Sequence, residues 1–133
     1  MSFSYENARD AQKITEQLSR VERSYKVIAA VLAKNPHSLD CDPYKNEVIQ
    51  MLISHLNVKM EHSKTKEDRN YNPQYCVILE MFLEWWDEYG NREYARKILE
   101  AMMELSVQEL KYIPNDIKER AFEVCKQLIK GEI

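Results

Sequence analysis

The chain has 133 residues, enough for one domain whose core needs no metal or disulfide staples. Two glycines and four prolines leave little turn material for a β fold, and a formal net charge of −3 gives no global reason to bind nucleic acid or an anionic membrane. Cys41, Cys76 and Cys125 are odd in number and far apart, which excludes a disulfide framework and a zinc knuckle and favours reduced thiols.

In chain order, Ala11, Ile14, Leu18, Val21, Tyr25, Ile28 and Leu32 recur at alternating spacings of three and four. That rhythm predicts one long N-terminal helix, from about Tyr5 to Lys34, with a narrow apolar seam. Val27, Ala29, Ala30 and Val31 widen the apolar surface near its end, so this end is expected deep in the core and the N-terminal part on the surface. The positions beside the seam (Asp10, Gln17 and Ser24; Thr15, Glu22 and Ala29) hold few complementary charges, so packing within the chain competes with a coiled coil. Ile14, Leu18 and Val21 are the candidate protein-interaction residues of this helix, for a second copy or for another protein.

"NPHSLDCDP" breaks the pattern, because Pro36 disfavours helical geometry at Asn35 and Asp42 followed by Pro43 makes a cap and first turn. A second helix is expected from Pro43 to about His62, with Val48, Ile49, Met51, Leu52, Ile53 and Leu56 on a wide apolar face. "SKTKEDRNYNPQ" is polar and aperiodic, which predicts a flexible loop over about 63–72.

The third helix starts near Pro73 and contains "LEMFLEWWDEYG". Glu80, Glu84, Asp87 and Glu88 share one stripe, and nearly everything else is apolar, so a buried central helix near 74–89 is expected. The stripe is read either as a solvated face, paired with Arg92, Arg96 and Lys97, or as an acidic contact for a basic partner through Glu80, Glu84 and Glu88. A di-iron carboxylate site would need Glu-x-x-His pairs, and none occurs.

Gly90 suits a left-handed helix end and Asn91 a cap, predicting a tight antiparallel pair of helices three and four. Helix four presents Tyr94, Ile98, Ala101, Met102 and Leu105 inward. "SVQE" has capping-box spacing for a short helix that Pro114 ends. The last helix, near Asn115 to Lys130, buries Ile117, Ala121, Val124, Cys125 and Leu128, and Gly131 ends it.

Within this region "LSVQELKYI" resembles the turn and second helix of helix-turn-helix DNA-binding domains, with Leu105, Ser106, Leu110 and Ile113 at the apolar and capping positions. Glu104 and Glu100 depart from the small residues of that motif. The resemblance implies a helix-turn-helix-like segment around 95–113, with Arg92, Arg96, Lys97, Gln108 and Lys111 as nucleic-acid contacts. Trp85, Gly90, Ala101 and Ile113 are spaced somewhat as in the closing helices of death-fold adaptor domains, an analogy that assigns no function.

Catalytic motifs are missing: the sequence has no Gly-rich phosphate loop, no nucleophile elbow and no metalloprotease His pair. His55 and His62, even with Cys41, fall short of a four-ligand zinc site. Cys76 lies in the first turn of helix three, where a helix dipole could activate it, but Val77 and Ile78 beside it favour a buried, inert thiol. The stretch "MSFSYENARD" lacks the basic start and apolar run of a signal peptide, and no stretch reaches the apolar length of a membrane span.

These observations predict a single all-α domain over 1–133, bundle-like or orthogonal, with five to six helices. The expected protein is soluble and cytoplasmic, binds no cofactor or metal and catalyses nothing. Protein–protein interaction as an adaptor or regulator is the leading expectation, and a small DNA- or RNA-binding regulator is the alternative.

Overall fold

The computed structural model describes residues 23–65 and 73–133, and every regular element among them is a helix. The order is α1 over 23–34, α2 Lys45–His62, α3 Pro73–Tyr89, α4 Arg92–Glu104, α5 Val107–Leu110 and α6 Asn115–Ile129. The all-α, bundle-like architecture expected from the sequence is present. The expected start of the first helix, with Ile14, Leu18 and Val21, lies outside the described residues.

α4 and α6 form the centre. α4 buries Ala95, Ile98, Leu99, Met102 and Met103, and α6 buries Ile117, Ala121, Val124, Cys125, Leu128 and Ile129. Both sets fall at helical spacing on one face, so the two helices pack together along their length. α3 lies on α4 and α6, and α2 on α6 and α5. On α1, Ala29, Leu32 and Ala33 enter the same core, but Val27 and Val31 remain exposed, so its end is buried on one face only.

The helix expected near 74–89 is present as α3, with its burial concentrated on one face. α3 sends Cys76, Leu79 and Leu83 fully inside, with Phe82 and Trp86 half-buried beside them, whereas Val77, Ile78 and Tyr89 are exposed. Among the described residues, α3 packs on α4 and α6 through one face. Apolar composition states what a surface could bury, and the packing decides whether a neighbour is there to bury it.

The connections follow local chemistry. Asp42 Oδ1 accepts the Tyr44 backbone N–H at 2.8 Å, a turn that takes up Pro43 and Tyr44, so α2 starts two residues later than Asp42–Pro43 predicts. Gly90 has φ +59° and its N–H donates to Trp86 O at 2.8 Å, closing α3 in the left-handed conformation. Asn91 Oδ1 then accepts the Glu93 N–H at 2.9 Å and caps α4. Ser106 and Glu109 form the reciprocal capping box of α5, both bonds at 3.1 Å.

Of the expected flexible loop over 63–72, residues 63–65 are described, and they are firmly tied. The Thr65 N–H donates to Asn115 Oδ1 at 2.8 Å, and Asn115 Nδ2 donates back to Thr65 O at 2.9 Å. Thr65 Oγ1 donates to Ile113 O at 2.6 Å. Beneath them the buried Lys118 ammonium donates to Ser63 O and, at 3.2 Å, to Thr65 Oγ1. A second buried lysine, Lys59 of α2, donates to Met102 O at 3.0 Å and Met103 O at 3.1 Å, placing a cation on the carbonyl end of α4.

Candidate functional site

Side chains four residues apart share a helix face, and on the outer face of α3 that row is Val77, Met81, Trp85 and Tyr89, with Ile78 and Phe82 alongside. Val77 is 58% exposed, Ile78 40% and Tyr89 63%. Met81, Phe82 and Trp85 are half-buried. The tight Gly90–Asn91 turn brings Tyr94 of α4 against this row, with ring centroids 5.4 Å from Trp85 and 6.1 Å from Tyr89. Phe82 lies 6.3 Å from Trp85. The result is an aromatic cluster, held by two capped helices, that opens onto an exposed aliphatic strip.

The acids border that strip. Glu80, Glu84 and Glu88 are all exposed at four-residue spacing, and among the described residues none of them forms an ion pair. Asp87 takes Arg120 of α6 as its partner, Arg120 Nη2 donating at 2.6 Å. Like charges at this spacing repel by about 0.2–0.5 kcal/mol per pair. The wiring at the helix ends adds to the cost, because α3 has no acid in its first turn and no base in its last, where Asp87 and Glu88 meet the negative end of the dipole. α3 therefore presents an apolar face beside a negative flank in which Glu80, Glu84 and Glu88 have no ion pair among the described residues.

The pairing of this stripe with Arg92, Arg96 and Lys97, weighed from the sequence, is not what these side chains do. Arg92 Nη2 donates to Leu32 O at 3.2 Å, tying α4 to α1. Arg96 pairs with Glu93 at 2.8 Å and Glu100 at 3.6 Å within α4. Lys97 and Lys111 are half-buried and Gln108 is exposed. The helix-turn-helix resemblance keeps its cap at Ser106 and its buried Leu110 and Ile113, but α5 has four residues. At 1.5 Å per residue that is about 6 Å of helix, too short to lie along a major groove.

Among the described residues, no group of three His, Cys, Asp or Glu side chains could hold a metal ion. His55 is buried and stacked on Tyr25 at 4.3 Å, and His62 is half-buried. Cys76 is buried, and burial pushes its thiol pKa up, with the Glu80 carboxylate beside it pushing the same way. That opposes nucleophilic use. Burial likewise raises Cys125. No described helix is long and apolar enough to cross a membrane. A groove between α1 and α4 has about 90 Å³ and another beside Lys118 about 150 Å³; both fall below the roughly 300–1,000 Å³ of small-molecule pockets.

Sequence reasoning placed the acids of α3 on one stripe and missed the exposed apolar row beside it. It also passed over the two buried lysines, although their spacing marks them. Lys118 is three residues before Ala121, and Lys59 is three after Leu56, so both fall on the apolar stripes of their helices. No protein family, curated protein or solved structure matches the chain.

Proposed function

We propose that this protein is a non-enzymatic interaction module that docks a partner protein on the outer face of α3 and the adjoining Tyr94, in a reducing intracellular compartment. The observation that carries this reading is the exposure of Val77, Ile78 and Tyr89 on a helix whose opposite face is core. Scattered exposed apolar residues are ordinary, but here they are contiguous with Met81, Trp85 and an aromatic cluster, the residue types that anchor interfaces. The platform is rigid before binding, because Gly90 and Asn91 fix α3 against α4, so little ordering cost falls on this side of a complex. The three cysteines are free, which suits a reducing compartment.

The test compares affinity capture from the cells that make the protein, using the wild type, Val77→Asp/Ile78→Asp and a control, Val27→Asp on α1. All three sites are exposed, so circular dichroism should show the same helicity. A partner recovered by the wild type and the control and lost by the α3 variant supports the reading. A partner retained by the α3 variant places binding on another surface and removes α3 from the function.

A further inference from the structure

We infer that the occupant of this face is a basic amphipathic helix of a partner protein; the inference rests on the α3 docking reading and adds the chemistry of what docks. The shape of the surface comes first. Val77, Met81, Trp85 and Tyr89 form a ridge at the four-residue spacing that interdigitates with a second helix, and α3 is 17 residues long, about 25 Å of straight track. Among the described residues there is no strand edge to which an extended peptide could add.

Charge selects among helices. Glu80, Glu84 and Glu88 run beside the ridge without ion pairs among the described residues, and Glu88 also meets the negative end of the dipole, whereas Asp87 already holds Arg120. Lysines or arginines on one flank of an incoming helix would relieve both repulsions at once. The half-buried Trp85 and the exposed Tyr89 add aromatic rings, groups that attract cations, to the same surface. An anionic membrane would meet these acids as like charge. A second copy of the chain fits less well, since α3 contains no lysine or arginine and would bring only its own acidic flank.

The probes are three synthetic helical peptides as long as α3: a Leu/Lys amphipath, a Leu/Glu amphipath of the same pattern, and a Leu/Lys peptide of identical composition with its periodicity scrambled. Each is titrated into isotope-labelled protein and followed by amide chemical shifts. The Leu/Lys amphipath should perturb residues 77–89 and Tyr94 and bind at least about tenfold more tightly than either other peptide. Glu80→Lys/Glu84→Lys/Glu88→Lys should reverse the preference toward the Leu/Glu peptide. Equal binding of the Leu/Glu amphipath on the same residues would overturn the basic partner while leaving the docking face standing. Equal binding of the scrambled peptide would reduce the effect to bulk charge and overturn the helical occupant. Shifts elsewhere, or none with any peptide, would sink both the inference and the α3 reading. Concentration-dependent broadening confined to α3 in the protein alone would replace the partner with a second copy.

Discussion

Lys118 carries the most testable chemistry of any single residue. It is 1% exposed, and its ammonium donates to Ser63 and Thr65. Burial lowers its pKa from the ordinary 10.5 to about 8. Below about pH 8 the group is charged in both the folded and the unfolded chain, so the penalty of burying the charge is fully present. Between about pH 8 and 10.5 the unfolded chain holds a proton that the folded protein has released, so stability rises with pH across that window and levels off above it. Denaturant melts of the wild type relative to Lys118→Met should show a gain on the order of 1–3 kcal/mol across the window. A difference that is flat, or that falls with pH, would mean that the hydrogen bonds hold the proton against desolvation. Neither the shift nor its partners were legible in the sequence. Spacing places Lys118 on the apolar stripe of its helix, but only the fold brings Ser63 and Thr65, more than fifty residues earlier in the chain, to meet it.

Among the elements, α3 separates into two faces with opposite sensitivities. Leu83→Ala removes a fully buried side chain and should cost about 2–5 kcal/mol. Val77→Ala, on the outer face, should stay within about 0.5 kcal/mol of the wild type. Thermal melts of the two variants check this, and comparable losses would restore the all-round burial that the composition of α3 suggests. Ser106→Ala removes the hydroxyl that accepts the Glu109 N–H and should cost about 1 kcal/mol. An unchanged melting point would show that neighbouring packing, rather than the capping box, sets α5. Much at this scale could be read from local residues: the left-handed Gly90, the Asn91 cap and the Ser106–Glu109 box all form as their sequence signals imply. Those signals involve groups within a few positions of each other. The exposed strip could not be read in the same way, since Val77 and Leu79 are equally apolar and differ only in which one faces α4 and α6.

For the whole molecule, the order of opening should follow the packing. Among the helices from α2 onward α4 and α6 share the most extensive contact, so the slowest amide hydrogen exchange is expected at Ile98, Leu99, Met102, Ala121, Cys125 and Leu128, with α3 exchanging sooner. Mass-resolved exchange measures it, and slowest exchange in α3 would return that helix to the centre. The all-α class was legible from scarce glycine and clear periodicity, because both are summed over many residues. Which helices lie at the centre depends on how the faces meet. α3 is rich in tryptophan, phenylalanine and leucine yet lies at the side, while α4 and α6, with many charges on their outer faces, hold the middle.

The two internal ammonium groups make the protein its own stopwatch. Acylating reagents attack an uncharged amine that they can reach, and Lys59 and Lys118 are 2% and 1% exposed, with their protons committed to backbone and hydroxyl oxygens. Under brief treatment with acetic anhydride the surface lysines should be marked in every molecule, and these two only in molecules that have come apart. Fragment masses from one pulse would then count openings directly, without a fluorophore, a tag or a change of sequence.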